Sequence, residues 1–240
     1  MKIIFSPSKG MNYQNIKILN TNLSPIFFNK TNLLINSLQT MDLENLSKKL
    51  KIKGSLLKKT YENYQNFFEL PEYPSILLYN GVSFKNLELD EYTCKEFDYM
   101  VEHLRIFSAL YGILYPNTLI REYRLDMTSK IIDKSSYNFW KKEINEYFSK
   151  DETIINLASN EFSKILDRKL HTILDIEFYQ LKETGLTTSS TEAKKMRGKF
   201  LNYMIKNQIS QLELLKEFSQ ENYTFSEELS SVHKFIFIAK

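Results

Sequence analysis

Cationic, hydroxyl and aromatic residues that could bind an anion are concentrated where the apolar pattern of this sequence is interrupted. The stretch 103–127, HLRIFSALYGILYPNTLIREYRLDM, holds Arg105, Arg121 and Arg124 among its tyrosines, together with Gly112. Cationic and aromatic groups on an irregular connection are typical of a binding site on a rigid scaffold. A packed turn with solvated arginines accounts for the same residues, so both interpretations stay open.

Ser6 to Lys9, with the sequence SPSK, form a second candidate for anion binding. They follow residues 2–5, an apolar run that predicts a short buried strand. Hydroxyls, amide N–H groups and a lysine at a strand end can bind an anion, although an ordinary exit from a strand explains them equally. The segment is not a P-loop, because the G-x-x-x-x-G-K-[ST] spacing is absent. Ser6 and Lys9 could form a Ser–Lys pair, but this spacing is common by chance, and no catalytic residue is predicted.

Small polar residues also follow the strand predicted at 153–157, and they include the carboxylate of Glu161. In sheets covered by helices, ligands bind beyond the carboxyl ends of the strands. Helix capping by Ser159 or Asn160 explains the same residues without a ligand.

A later helix, predicted to begin near Thr191, carries Lys194, Lys195 and Arg197. Gly198 on this helix would allow another backbone to approach closely. Such a concentration of charge is compatible with bound phosphates or with plain solvation.

Two short helices are predicted around a glycine turn. Asp42 can cap a helix that ends at Leu50, and Ser55 can cap another that reaches Phe68, with Gly54 between them. This is the outline of a helix-hairpin-helix, in which amide N–H groups at the hairpin and at the next helix face a nucleic-acid phosphate. The usual hairpin has two glycines, whereas this one has a single glycine.

Six lysines surround this helix-hairpin-helix-like element, residues 46–68, and no acidic residue lies between Glu44 and Glu62. Such a run is commonly a solvated helical face, but the predicted turn makes phosphate binding an equal alternative. The residues predicted to contact DNA phosphates, including the cations of the later helix, are Lys48, Lys49, Lys51, Lys53, Gly54, Ser55, Lys58, Lys59, Lys194, Lys195 and Arg197.

Metal and thiol chemistry find little support in the sequence. His103, His171 and His233 lie far apart, without the spacing of metal ligands. Cys94 is the only cysteine, so no intrachain disulfide can form, which suits a reducing compartment. We interpret Cys94 as a small core residue, and no metal or cofactor is predicted.

The composition predicts one domain, 1–240. Hydrophobic residues make up 42% of the 240 residues, and 6 glycines and 5 prolines leave little sequence for flexible linkers. The net charge of +3, from 32 basic and 29 acidic residues, is too small to demand a polyanionic partner. The N-terminal apolar run is too short for a signal peptide, and no apolar window of ~18 residues predicts a membrane span. We therefore expect a cytoplasmic protein without a membrane partner.

The order of the predicted elements indicates a mixed α/β domain, in which a mixed central sheet is flanked by helices. Strands are predicted at residues 2–5, 75–79, 153–157, 170–181 and 233–239. Besides those already described, helices are predicted at residues 25–38, 97–107 and 137–148. Trp140, the only tryptophan, would anchor the last of these helices in the core.

Several segments, taken in chain order, resemble the YaaA family of bacterial peroxide-stress proteins nearly from end to end. They are SPSK at 6–9, Asn80-Gly81, HLRIFSALYGILYP at 103–116, YRLDM at 123–127, NFW at 138–140, INLAS at 155–159 and KKMRG at 194–198. Gly10 stands where threonine is common in the family, and Met196 where alanine is common.

The resemblance implies a cytosolic bacterial protein that is needed under hydrogen peroxide stress and limits damage from unincorporated iron. It also implies one mixed α and β domain with a helix-hairpin-helix element and a positively charged cleft, to which DNA binding is ascribed. No established catalytic residues come with the family. We therefore expect a protein that binds double-stranded DNA without marked sequence preference and limits iron-dependent oxidative damage.

A rival hypothesis is an enzyme of unknown reaction that acts on a nucleotide or another phosphorylated small molecule. Its cleft would gather Arg197 with Ser6, Lys9, Arg105, Arg124, Asn156, Ser159 and Glu161, so Lys9, Arg105, Arg124 and Arg197 are expected to converge. A third hypothesis is an interaction protein that uses an aromatic surface. A broad basic groove would favour DNA, whereas a closed pocket of roughly 300–1,000 Å³ would favour a small molecule.

Overall fold

Short apolar strands alternate with amphipathic helices over residues 1–13, 23–183 and 185–239, the part of the chain that the computed structural model describes. The helices are α1 (Phe28–Gln39), α2 (Leu43–Leu50), α3 (Gly54–Gln65), α4 (Ser75–Leu78), α5 (Cys94–His103), α6 (Ser136–Tyr147), α7 (Asn160–Ser163) and α8 (Ser190–Lys206). The strands are β1 (Lys2–Phe5), β2 (Tyr73–Pro74), β3 (Leu104–Ser108), β4 (Gly112–Leu114), β5 (Leu119–Ile120), β6 (Thr153–Asn156), β7 (Thr172–Lys182), β8 (Gly185–Thr187), β9 (Tyr223–Phe225) and β10 (Lys234–Ala239). Short 3₁₀ helices lie at Phe67–Glu69, Phe84–Asn86 and Leu212–Glu217. Within the described part, no helix is both long enough and apolar enough to cross a membrane.

Eight of the ten described strands form a mixed sheet in the order β4-β3-β1-β6-β7-β10-β9, with β8 paired to β7, and β2 and β5 pair with each other in a separate antiparallel sheet. The central strands β3, β1, β6, β7 and β10 run parallel, and β4, β8 and β9 are antiparallel to their neighbours. Every residue of β3 is buried, which is expected for a parallel strand covered on both faces. The predicted mixed α/β fold is confirmed.

The order of the strands opens a crevice between β1 and β6. These two parallel strands are neighbours, but the chain leaves β1 toward β3 on one side and leaves β6 toward β7 on the other. In open α/β sheets, such a divergence at the carboxyl edge is where ligands bind.

The strand predicted at 75–79 is wrong, because residues Ser75–Leu78 form the short helix α4. All four of these residues are buried, so the sequence shows no alternation of apolar and polar residues that could distinguish a strand from a helix. The Ser75 hydroxyl donates to the backbone oxygen of Tyr115 at 2.8 Å, which fixes the helix against the 103–127 stretch.

The helix predicted at 97–107 is correct only as far as His103. It begins with a capping box formed by Thr93 and Glu96. From Leu104 onward the chain is the strand β3, paired in parallel with β1. The spacing of apolar residues over 97–107 suits a helix, but residues from Leu104 onward pair with β1 in the sheet instead. The interpretation of Cys94 as a core residue is also wrong, because Cys94 is exposed in the first turn of α5.

The helices α2 and α3 are joined by the three residues 51–53. Lys51 and Gly54 both take positive φ angles, 56° and 63°, which reverses the chain in a short space. The buried side chains of Leu50, Ile52 and Leu57 anchor this turn in the core. Two helices around a glycine turn are therefore present, but their assignment to the helix-hairpin-helix class stays a prediction.

The helix α6 carries Trp140 into the core, as predicted. The Trp140 side chain is fully buried, and its indole N–H donates to the backbone oxygen of Ala109 at 2.8 Å. This bond ties α6 to the 103–127 stretch.

Candidate functional site

A cavity of about 340 Å³ lies at the carboxyl edge of the sheet, in the crevice between β1 and β6. Five segments that are far apart in sequence contribute its walls. The lining residues are 5–11, 81–84, 123–126, Leu157, Ser159, Glu161, Phe162, Lys194 and Arg197. The cavity therefore brings together the SPSK, Asn80-Gly81, YRLDM, INLAS and KKMRG segments.

Ser6 and Ser159 join the two strand ends at the base of this cavity. The Ser159 backbone N–H donates to the Ser6 hydroxyl oxygen at 2.8 Å, and the Ser6 hydroxyl donates to the Ser159 hydroxyl oxygen at 3.2 Å. The Ser159 side chain does not cap α7. Since the Ser159 hydroxyl acts as acceptor in this pair, its own proton is available for a ligand.

Lys9 and Arg124 lie on one side of the cavity. The Lys9 ammonium forms an ion pair with Asp126 at 2.8 Å. The backbone of Arg124 is fixed by the Tyr64 hydroxyl, which donates to its carbonyl oxygen at 2.7 Å. Among the described residues, no hydrogen bond or ion pair occupies the Arg124 guanidinium, which leaves its donors free for an anion.

Lys194 and Arg197 reach the cavity from α8, and Gly198 allows this helix to come close. A Cβ atom on Gly198 would lie 2.2 Å from the backbone oxygen of Ser83. Only glycine lets α8 pack against the loop 81–84. The same loop also lies close to the SPSK segment, because a Cβ on Gly81 would lie 2.4 Å from the Ser8 hydroxyl oxygen.

Arg197 has a buried donor without a partner. Its Nε atom is buried and has no hydrogen-bond acceptor among the described residues. Burial lowers the pKa of the Arg197 guanidinium, and the negative charges of Glu177 and Asp175 oppose this effect. An unsatisfied buried donor costs about 1–3 kcal/mol. Such a cost at the wall of a cavity marks Arg197 as a candidate for ligand binding.

A chain of buried hydroxyl groups supports the wall of the cavity. The Tyr123 hydroxyl lies 2.7 Å from the Tyr79 hydroxyl and 2.7 Å from the Ser108 hydroxyl. Ser108 in turn accepts the backbone N–H groups of Leu110 and Tyr111. Burial raises the pKa of Tyr123 to about 12. Tyr123 is thus neutral near pH 7 and holds the 123–126 segment in place. No pattern in the sequence predicts this network, although Tyr123 lies within the YRLDM segment.

Six of the residues predicted for a common cleft line this cavity. They are Ser6, Lys9, Arg124, Ser159, Glu161 and Arg197. Asn156 instead lines a neighbouring polar pocket that it shares with Arg197. There its amide donates to Asp175 at 2.7 Å and accepts the Ala158 N–H at 2.9 Å.

The prediction that Arg105 converges with the other three cations is wrong, because Arg105 does not line the cavity. It is 3% exposed and lies near the amino end of β3, away from the carboxyl edge. Its guanidinium stacks on the Tyr115 ring at 3.7 Å and donates to the Tyr147 hydroxyl and the Val101 and Leu104 carbonyl oxygens. These contacts make Arg105 part of the packing.

The lysines of α2 and α3 form a separate exposed cluster, which we call the α2–α3 lysine surface. It comprises Lys48, Lys49, Lys51, Lys53, Lys58 and Lys59, all of them exposed except the half-buried Lys49. Lys48 pairs with Glu44 and Lys59 with Glu122, both at 2.6 Å. The other four lysines form no ion pair with any described residue.

Gly54 and Ser55 lie exposed at the start of α3. Lys53, at the N-cap position, makes no side-chain cap, so the first N–H groups of α3 have no side-chain partner at the N-cap. The N-terminal end of a helix carries partial positive charge, which adds to the charge of the surrounding lysines.

A small pocket connects this surface to the cavity. It is lined by residues of α3 such as Leu56 and Lys59, and it shares Lys9, Tyr123 and Arg124 with the cavity. The cations of α8 are divided between two places. Lys194 and Arg197 line the cavity, whereas Lys195 forms an ion pair with Glu221.

In the part of the chain that the structure describes, no three His, Cys, Asp or Glu side chains form a group that could hold a metal ion.

Comparisons with known proteins give similarity over the full chain. The sequence model of the family described as "Peroxide stress protein YaaA" matches residues 1–229. A UPF0246 protein of Fusobacterium nucleatum is 44% identical over 248 residues, which cover 100% of this chain and 99% of the relative. A UPF0246 protein of Clostridioides difficile is 34% identical, with 99% of each chain covered. A UPF0246 protein of Finegoldia magna is 35% identical, and the match covers 99% of this chain and 98% of the relative.

Proposed function

Because the chain belongs to the YaaA (UPF0246) family of peroxide stress proteins, we propose that it protects DNA during peroxide stress by binding it without sequence preference. The observation that carries this proposal is the α2–α3 lysine surface. Lys49, Lys51, Lys53 and Lys58 have no carboxylate partner among the described residues, so a phosphate would not have to displace one. Each phosphate that they neutralise releases counterions from DNA, which favours binding at low salt.

The uncapped N-terminus of α3 supports the same proposal. Its first N–H groups directly follow Lys51 and Lys53 in the chain, and no side chain at the N-cap accepts from them. Amide N–H groups at a helix N-terminus are suited to a phosphate oxygen, and the lysines add charge around them.

The chemistry of this surface favours phosphates over bases. Lysine ammonium groups and backbone amides contact the DNA backbone, which carries no direct sequence information. Base discrimination in the major groove relies largely on side chains such as Arg, Asn and Gln at regular positions. The exposed positions around the turn are mostly lysines, so duplexes of different sequence should bind alike.

Limiting iron-dependent damage would follow from this mode of binding. Iron(II) is one of the cations that gather at DNA phosphates, where it reacts with hydrogen peroxide next to the sugar and bases. A lysine that neutralises a phosphate releases the cations condensed there. The α2–α3 lysine surface would thus displace iron(II) from the DNA that it covers.

Fluorescence anisotropy on two unrelated duplexes across a salt series tests the proposal. Lys51→Glu with Lys53→Glu should weaken binding to both duplexes and flatten the log–log salt slope by about one unit for each phosphate that is no longer neutralised. The unmutated slope should be roughly −0.9 for each phosphate neutralised.

The charge-matched control is Lys141→Glu with Lys142→Glu, two exposed positions on α6. An equal loss of affinity in both double variants would show that net charge, and not this surface, drives binding. If the unmutated protein does not bind at low salt, the DNA proposal is wrong.

A further inference from the structure

The position of the cavity indicates a small-molecule site in addition to the DNA surface. It lies beyond the carboxyl ends of β1 and β6, where the connections of two parallel neighbours diverge. Crevices at this point of open α/β sheets bind ligands in unrelated proteins. A volume of about 340 Å³ lies within the roughly 300–1,000 Å³ of small-molecule pockets. We propose that the cavity binds a phosphate monoester with a ring-sized organic body.

The charge of the lining matches a phosphate monoester. Lys9 is neutralised by Asp126. Among the described lining residues, the remaining ionised side chains are Arg124, Lys194 and Arg197 against the one carboxylate of Glu161, which leaves an excess of two positive charges. A phosphate monoester carries about −1.5 to −2 charges at pH 7.

The hydrogen-bond donors of the cavity are suited to phosphate oxygens. Arg197 presents a buried Nε–H without an acceptor among the described residues, and the Arg124 guanidinium has no side-chain partner there either. The Ser159 hydroxyl can donate its proton, because it only accepts from Ser6. Guanidinium groups bind phosphate through two parallel hydrogen bonds, so two arginines and a hydroxyl can surround one phosphate.

The rest of the wall is apolar and needs an organic body to cover it. Phe5, Met11, Phe84, Leu157 and Phe162 line the cavity alongside the cations. The protein itself already buries most of Phe5, Phe84, Leu157 and Phe162, but inorganic phosphate would leave the accessible remainder of this apolar wall in contact with water. A flat ring would cover that remainder, as in other ligand pockets where apolar walls carry a few orienting polar groups. A mononucleotide combines such a ring with a monoester phosphate.

Two sources could supply this chemistry. One is a free mononucleotide. The other is the phosphorylated 5′ end of a DNA strand, because the small pocket that shares Lys9 and Arg124 links the cavity to the α2–α3 lysine surface. In both cases the same cations hold the phosphate, and the same apolar wall covers the ring.

Isothermal titration calorimetry on the full chain tests the proposal with adenosine 5′-monophosphate, inorganic phosphate and adenosine. Adenosine 5′-monophosphate should bind more tightly than inorganic phosphate, since only it covers the apolar wall, and adenosine should bind most weakly. Lys194→Ala should lower the affinity for adenosine 5′-monophosphate about tenfold or more, because it removes a charged group that faces the phosphate. Lys194 is exposed, so this variant should fold.

Lys199→Ala is the matched control, because Lys199 lies on the same helix but pairs with Glu221 at 3.0 Å and does not line the cavity. Its affinity for adenosine 5′-monophosphate should be unchanged. The proposal is overturned if adenosine binds as tightly as its monophosphate, if neither phosphate binds, or if Lys199→Ala loses as much affinity as Lys194→Ala.

The DNA proposal can fail independently of this one. Lys51→Glu with Lys53→Glu should leave the affinity for adenosine 5′-monophosphate unchanged, and an equal fall in that affinity would overturn the separate site. Competition by a 5′-phosphorylated duplex, but not by its 5′-hydroxyl counterpart, would identify a DNA end as the source of the phosphate. The absence of competition, with the mononucleotide still bound, would identify a free small molecule.

Discussion

Two arginines in this protein show how hydrogen bonding separates packing from binding. Arg105 is buried, but its donors meet backbone oxygens and the Tyr147 hydroxyl, and its plane stacks on Tyr115. The Nε atom of Arg197 is equally hidden and has no acceptor among the described residues. A satisfied buried donor stabilises the fold, whereas an unsatisfied one at a cavity wall is a reason to expect a ligand.

Replacing Arg105 should therefore affect stability and not binding. Arg105→Met should lower the free energy of unfolding by about 2–4 kcal/mol, because it removes several charge-assisted hydrogen bonds and the stacking on Tyr115. Urea unfolding measures this change, and Lys141→Met on the exposed face of α6 should stay within about 0.5 kcal/mol of the unmutated protein. A folded Arg105→Met protein that no longer binds adenosine 5′-monophosphate would contradict a purely structural role.

Cys94 should be dispensable for peroxide protection. It is exposed at the start of α5 and lines neither the cavity nor the α2–α3 lysine surface. A thiol peroxidase also needs a means of reducing its oxidised cysteine, and the chain contains no second cysteine to resolve it. Cys94→Ser should restore peroxide survival to a deletion strain as fully as the unmutated gene. Complete loss of protection by a folded variant would show that thiol chemistry is essential.

At the scale of elements, the strand ends were predictable because their signal is local. An apolar run followed by serine, lysine or asparagine gave β1 and β6 nearly to the residue. Since parallel strands end at the same edge, that pattern also favours a shared cleft for Ser6 and Ser159, whereas their direct contact depends on the pairing of β1 with β6. The position of Arg105 could not be predicted in this way. It depends on where β3 begins, and residues 104–107 suit a helix as well as a strand.

The packing of α8 against the loop 81–84 also lies beyond local pattern. KKMRG predicts a cationic helix, but only the fold shows that Gly198 touches Ser83 and so brings Lys194 and Arg197 to the cavity. The buried network of Tyr79, Ser108 and Tyr123 was missed for the same reason. Its members come from three segments whose contact no spacing along the sequence can reveal.

Gly198→Ala should disturb the cavity through this contact. A Cβ atom 2.2 Å from the Ser83 oxygen must push α8 away from the loop, and overpacking of this kind costs about 1–3 kcal/mol. We expect a lower melting temperature and weaker binding of adenosine 5′-monophosphate. Lys199→Ala, one residue further along α8, should change neither quantity. Unaltered stability and affinity in Gly198→Ala would show that the helix can move without consequence.

At the scale of the whole molecule, the two anion sites that we propose differ in shape. The α2–α3 lysine surface is exposed and suits a long backbone of phosphates, whereas the cavity is a cleft of about 340 Å³ that suits a single phosphate with its ring. The pocket that shares Lys9 and Arg124 places them side by side. A protein with a net charge of only +3 can therefore direct polyanions to one part of its surface through local clustering.

Protection of DNA from iron and peroxide should depend on the α2–α3 lysine surface and not on the cavity. Supercoiled plasmid treated with iron(II) and hydrogen peroxide is nicked, and the fraction nicked can be read from an agarose gel. The unmutated protein should reduce nicking at low salt and lose this effect as salt rises, because its phosphate contacts weaken with counterion concentration. Lys51→Glu with Lys53→Glu should protect less at every protein concentration, whereas Lys141→Glu with Lys142→Glu should protect as well as the unmutated protein.

Lys194→Ala should retain most of the protection, since the lysine that it removes serves the cavity. Full protection by the Lys51→Glu, Lys53→Glu variant would separate iron protection from this surface, and an equal fall in protection in all three variants would attribute it to net charge.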